Sequence, residues 1–134
     1  MATTATTIST ERAEIEQVVQ LYIDGASKGD AAKLKEAFHA EAWMFGSVGG
    51  ERYDIPIDQM IEMTTSQPLD SDGSFRARVT AVEQIGEAAM VRVEEDGCWG
   101  GLSFVDFFTL AKIDGSWKIV NKTFAHTAGE MPAS

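Results

Sequence analysis

Residues 104–124 read FVDFFTLAKIDGSWKIVNKTF. Two alternating runs flank Asp114-Gly115, a dipeptide suited to the positive backbone angles of a tight hairpin turn. A two-residue turn there sets Ile113 against Ser116 and fixes the register behind it. Leu110 is then expected opposite Ile119, Phe108 opposite Asn121, and Asp106 opposite Thr123. One face collects Phe104, Asp106, Phe108, Leu110, Trp117, Ile119, Asn121 and Thr123. The other collects Val105, Phe107, Thr109, Lys118, Val120, Lys122 and Phe124. A one-residue bulge would exchange the faces beyond it.

The first face is apolar near the turn and ends in three polar residues, Asp106, Asn121 and Thr123. An apolar wall with a few convergent polar groups is how small-molecule pockets are built. Asp106 is the anomaly, because an unpaired buried carboxylate is costly or takes up a proton. It has three readings: a pocket acid, a structural acceptor for Thr123 or Asn121, or an edge group reaching water. The second face is too apolar for free sheet surface, and a homodimer packed through it is the expected cover.

Outward from the hairpin, the chain divides by period. Residues 75–85 and 88–95 alternate around Gly86-Glu87, a second tight-hairpin signal. The first half has helical spacing instead. Ile15, Val18, Val19, Tyr22, Ile23 and Ala26 share one face of a helix expected to be capped at Ser9 or Thr10. Asp30 is placed to cap a short second helix carrying Leu34, Ala37 and Phe38, with His39 at its end. A strand is expected over 41–47, and Pro56 opens a third helix with Ile57, Met60 and Ile61 inward. Helices followed by long antiparallel strands make an α+β domain, with helices laid over one face of a curved sheet. The expected boundaries are a flexible tail at 1–8, one domain at 9–126 and a flexible tail at 127–134.

Bulk properties narrow the function classes. The 134 residues carry a net charge of −10, from 21 acidic and 11 basic side chains. That disfavours nucleic acid and anionic membrane surfaces, both of which need clustered Lys and Arg. Cys98 is the single cysteine, so no internal disulfide forms, which fits a reducing, cytoplasmic setting. The polar start MATTATTIST has no apolar core of a secretory signal. The two histidines, His39 and His126, are far apart, and no spacing of ligands suggests a metal. No glycine-rich phosphate loop follows a strand. No cofactor is expected.

The candidate catalytic residues are Asp106, His39 and Tyr22. Against these stand blander readings, a helix-end cation for His39 and a core phenol for Tyr22. Candidate pocket walls are Trp43, Phe45, Met60, Met63, Trp99, Phe104 and Phe108, with Asn121 and Thr123 as polar contacts; core packing is their alternative role. Cys98 has no nearby histidine to activate it. Lys122 is set aside as a Schiff-base amine because the regular register turns it away from Asp106.

The stretches YIDGASKGDAAKLKEAFHAEAWM, GEAAMVRVE and VDFFTLAKIDGSWKIVNKTF resemble the NTF2-like superfamily, and within it the lumazine-binding-like or SnoaL-like branch. The resemblance covers roughly residues 9–126. It implies a cone: a strongly bent antiparallel sheet wrapped around a pocket, closed by N-terminal helices and usually dimeric. Ketosteroid isomerase, of the same superfamily, uses an aspartate base, a tyrosine donor and an aspartic acid kept neutral by its apolar site. Val105-Asp106-Phe107-Phe108 resembles the strand that carries the neutral acid. Phe45-Gly46 stands at the position of the base and offers no carboxylate, and Tyr22 lies on the helix of the donor tyrosine but out of register. The expectation is a small-molecule-binding protein, with cofactor-free acid–base chemistry on a small apolar or aromatic substrate. The alternative is a non-catalytic ligand-binding or dimerisation module.

Overall fold

The computed structural model describes residues 3–130. Three helices and eight strands follow in the order α1 (Thr3–Lys28), α2 (Ala31–Ala37), β1 (Phe38–Phe45), β2 (Ser47–Val48), β3 (Glu51–Arg52), β4 (Ile55–Pro56), α3 (Ile57–Ser66), β5 (Arg76–Ile85), β6 (Ala88–Cys98), β7 (Leu102–Ile113) and β8 (Ser116–Ala128). Six strands form one curved sheet in the order β4-β1-β8-β7-β6-β5, and β2 and β3 form a small separate ribbon. The helices pack against its concave side. The large sheet is mixed, because β1 runs parallel to β8 while the other neighbours are antiparallel.

Local chemistry accounts for most of these elements. Ile15, Val19, Tyr22, Ile23 and Ala26 form the buried stripe of α1. The helix begins at Thr3, so Ser9 and Thr10 lie within it rather than capping it. The expected end tails fall partly on 1–2 and 131–134, outside the described residues, while β8 runs on to Ala128. Asp30 caps α2, its side chain accepting from the Lys33 amide at 3.2 Å. The helix stops at Ala37, and Phe38 and His39 open β1 instead of ending the helix. Both expected hairpins form: Ile85 pairs with Ala88, and Ile113 with Ser116. Asp114 and Gly115 take φ of 51° and 82°, the left-handed pair that a type I′ turn requires.

The β7–β8 register departs from regular alternation at one point. Leu110 pairs with Ile119 as expected, but Thr109 pairs with Asn121, so Val120 is an extra residue on β8. Such a bulge changes which face the following side chains occupy. Beyond it Asp106 stands opposite Phe124, and Phe108 opposite Lys122. Lys122 therefore turns into the concave face, with 8% of its surface exposed. Asn121 and Thr123 turn outward, and their side chains hydrogen-bond each other at 2.8 Å.

Candidate functional site

Three adjacent strands bring ionisable groups to one patch of the concave sheet. On β6 the buried positions alternate as Ala89, Val91, Val93 and then Glu95. On β7 they alternate as Phe104, Asp106, Phe108 and Leu110. On β8, past the bulge, Lys122 is the buried one. Val93 pairs with Asp106, and Glu95 and Lys122 occupy the diagonal positions on either side. Diagonal neighbours on one face lie within reach of long side chains. Asp106 is 1% exposed and Glu95 2%.

Tyr22 descends from α1 into the middle of this patch. Its hydroxyl lies 3.3 Å from Asp106 Oδ2 and 3.4 Å from Glu95 Oε2. It accepts from Lys122 Nζ at 2.9 Å. Its ring is held edge-on by Phe108, at 4.8 Å between centroids, and by Phe38 at 5.9 Å. One hydroxyl proton cannot serve both carboxyl groups at once, so the tyrosine bridges two acids and one amine. Asp106 Oδ1 is buried and has no hydrogen-bond partner among the described residues.

Burial and mutual repulsion set the protonation of the cluster. Glu95 is pushed well above the usual carboxylate range, first by burial and then by Asp106 beside it. Two adjacent buried carboxyl groups resist ionising together, which is why Asp106 adds to the upward push on Glu95. Tyr22 is also raised well above its ordinary value, by burial and then by Asp106 and Glu95, and remains a neutral donor. Burial, followed by the same two acids, pushes the Cys98 thiol up, which leaves it an inert core residue.

The cluster opens into a cavity of about 120 Å³. Its floor is Tyr22, Glu95, Asp106 and Lys122; its walls are Ala26, Met44, Val48, Tyr53, Met60, Met63, Thr64, Gln67, Leu69, Trp99, Phe104 and Phe124. The mouth is fastened where Trp99 Nε1 donates to the Gln67 carbonyl at 3.0 Å and the Trp99 amide to that of Leu69 at 2.8 Å. Gly46 explains a further feature of the wall. A Cβ there would lie 2.5 Å from the ring of Phe124, so this backbone has room for no side chain. Of the two residues at the position of the ketosteroid isomerase base, Gly46 is thus crowded by the Phe124 ring and Phe45 faces outward.

The structure brings Tyr22, Asp106, Met60, Met63, Trp99 and Phe104 together around this cavity. It separates the other candidates. Trp43 and Phe45 point from β1 to the convex face, stacked on each other at 6.0 Å, while Met44 between them faces inward. Asn121 and Thr123 are on that outer face because of the Val120 bulge. Phe108 lies wholly buried beneath Tyr22 and does not reach the cavity. His39 sits on β1, where its Nδ1 accepts from the Glu41 amide at 3.1 Å, away from the lining. Sequence reasoning missed Glu95, Lys122 and Phe124. The parity of Ala89, Val91 and Val93 extends to Glu95 and was a usable signal; the bulge that turns Lys122 inward left none.

Among the described residues no group of three or more His, Cys, Asp or Glu side chains is arranged to hold a metal ion. No helix of the described residues is long and apolar enough to cross a membrane.

Helices over a bent sheet, with a cavity between them, define the cone of NTF2-like proteins. The chain belongs to the family described as "Putative lumazine-binding", whose pattern it matches over residues 10–125. It is similar to an NTF2-like protein of unknown function from Silicibacter pomeroyi, at 29% identity and a TM-score of 0.81, covering 90% of this chain and 98% of that one. A second such protein, from Methylobacillus flagellatus, is 32% identical with a TM-score of 0.80, covering 89% and 94%. The aldolase FrzH of Cladobotryum sp is 27% identical over 103 residues, which span 77% of this chain and 81% of that protein.

Proposed function

We propose that the protein binds a small, largely apolar carbonyl compound and catalyses cofactor-free proton transfer on it, as in isomerisation, dehydration or aldol-type closure. The observation that carries this is Asp106: a buried carboxyl group on the cavity floor, with one oxygen on Tyr22 and the other without a partner among the described residues. A structural carboxylate at this depth would have both oxygens occupied. The free oxygen is available to a substrate proton, and Glu95, held protonated by burial, supplies one in return. The volume, about 120 Å³, is below the roughly 300–1,000 Å³ of pockets for drug-sized ligands, so the substrate is compact. Similarity to an aldolase supports the same reaction class.

The convex face supports a homodimer. Phe45, Thr123, Phe107 and Arg92 form a row across four strands, with Trp43 beside it. Trp43 is 43% exposed and Phe107 44%. The flanking charges balance, Arg78 and Arg92 pairing with Glu94 and Asp96. In a chain of net charge −10, this is a surface on which two copies meet without added repulsion.

Native mass spectrometry of freshly purified protein tests both statements, reading the dimer mass and any retained small molecule. The catalytic one is tested by deuterium exchange at the α-carbon of small ketones, followed by NMR in D2O. Exchange by the wild type that falls by about 10²–10⁴ in Asp106→Asn supports it. Equal exchange by a folded Asp106→Asn variant overturns it.

A further inference from the structure

Lys122 is a buried amine for which the acid–base reading has no use. Two carboxyl groups share its cavity, yet no carboxylate oxygen of the described residues comes within 4.0 Å of its Nζ. Its one hydrogen-bond partner among the described residues is the Tyr22 hydroxyl. Two aromatic rings lie close to it, with centroids at 4.9 Å for Tyr22 and 5.2 Å for Phe124. The ordinary lysines of this chain behave differently. Lys112 pairs directly with Glu11 at 2.7 Å, and Lys118 reaches the Glu36 carbonyl at 2.7 Å on the surface. A lysine placed to neutralise the buried acids would touch them. This one is held apart by a phenol and faces the cavity.

We propose that Lys122 is the nucleophilic amine of a Schiff-base site, which takes aldehydes or ketones as covalent substrates. The proposal rests on the carbonyl reading above and deepens it by naming how the carbonyl is held. Imine formation needs the amine lone pair, and a relay to free it is present. A proton leaves Nζ for the Tyr22 oxygen across 2.9 Å, while the Tyr22 proton passes to Asp106 Oδ2 across 3.3 Å. The exchange replaces an ammonium and a carboxylate by neutral partners without changing net charge. Nζ then attacks the carbonyl carbon; the N–C bond forms and the C=O π pair moves to oxygen. One proton shifts from nitrogen to that oxygen to give the carbinolamine. Glu95 protonates the hydroxyl, the C–O bond breaks, and water leaves. The nitrogen lone pair closes the C=N bond. The products are one iminium, one water and the Glu95 carboxylate, so charge is conserved. The iminium draws electrons from the α-carbon, whose proton goes to the carboxyl pair at Asp106 and Glu95. A lysine of this kind makes acid–base chemistry on carbonyls feasible without a metal or organic cofactor.

The test is reductive trapping. Wild-type protein is incubated with acetaldehyde or acetone at neutral pH and sodium cyanoborohydride, digested, and mapped by mass spectrometry. The expected result is alkylation of Lys122 ahead of the half-buried Lys118 in the same sample, slowed in Tyr22→Phe. Labelling of Lys122 no faster than Lys118 overturns the proposal. The mapping uses wild-type protein, so it does not depend on any Lys122 variant folding. The outcome is also separable from that of the acid–base reading. Ketone α-exchange that depends on Asp106 but persists in a folded Lys122→Arg variant removes the Schiff base and leaves proton transfer standing. Trapping at Lys122 with exchange indifferent to Asp106→Asn does the reverse.

Discussion

The β7–β8 hairpin has two halves made from the same two strands. Near the turn, Leu110, Trp117 and Ile119 fill the concave face with hydrocarbon and indole. Beyond Val120 the same face carries Asp106, Lys122 and Phe124. Strand pairing is continuous across the boundary. One extra residue separates a packed core from a cavity floor. The turn half gains stability from burial, with one ion pair, Lys112 to Glu11 of α1, beside the turn. The half beyond Val120 lies under an acid pair, a phenol and an amine, a set that packed hydrophobic residues would match or exceed in stability. A costly cluster beside a cavity is the arrangement that the proposed function requires.

The largest expected effect comes from placing a charge in the turn half. Ile119→Asp buries a carboxylate between Leu110 and Phe38, away from Tyr22 and Lys122. The loss should exceed about 4 kcal/mol, read as collapse of the urea unfolding transition. An unchanged midpoint would show that the two halves do not differ in their tolerance of a buried acid.

Next come truncations on each side. Phe108→Ala should cost about 3–5 kcal/mol by opening a hole under Tyr22. Asp106→Ala should cost less, about 1–3 kcal/mol, for a different reason, since it removes an acceptor from the buried Tyr22 hydroxyl. The two are told apart by pH. The cost of Phe108→Ala should be nearly the same from pH 5 to 8, whereas Asp106→Ala removes one cause of the raised Glu95 and so should flatten the fall of stability with rising pH.

A smaller effect is expected from the raised acid. Glu95 binds its proton more tightly folded than unfolded. Between its ordinary value and its raised one, the folded chain holds more protons, so stability falls as pH rises through that window. The slope is at most about 1.4 kcal/mol per pH unit. Glu95→Gln should flatten that slope, and an unaltered pH profile in chemical denaturation would show that Glu95 does not carry it.

The smallest effect should come from Asn121→Ala and Thr123→Val. Both lie on the convex face, and each should change monomer stability by no more than about 0.5 kcal/mol. Neither should alter α-exchange. A large loss of exchange would show that these residues reach the cavity after all.

Much of this molecule was legible because its signals are local. Asp114-Gly115 and Gly86-Glu87 specify their turns through backbone angles alone, and Asp30 caps α2 through its own side chain. The alternating burial of β7 follows from its pattern of apolar residues, which is why Asp106 could be placed inward from the sequence. Tyr22 could be placed on the buried stripe of α1 for the same reason, although its partners could not. His39 was misplaced because Phe38 continues the apolar face of α2 as well as it begins β1. Trp43 and Phe45 read as wall because aromatic side chains suit either a pocket or a dimer face, and composition does not distinguish them.

Sequence alone thus defined an α+β chain with its last hairpin in place and an acid on its inner face. Tertiary structure decided what surrounds that acid. The Val120 bulge is an agreement between strands over hydrogen-bond register, and neither strand records it in its residue types. Lys122 enters the site only through that agreement. Glu95 meets Asp106 only because β6 lies against β7, and Tyr22 meets all three because α1 crosses the sheet at that height. Each side chain has an ordinary identity in the sequence; the low dielectric and the distances they share exist only once the cone has closed.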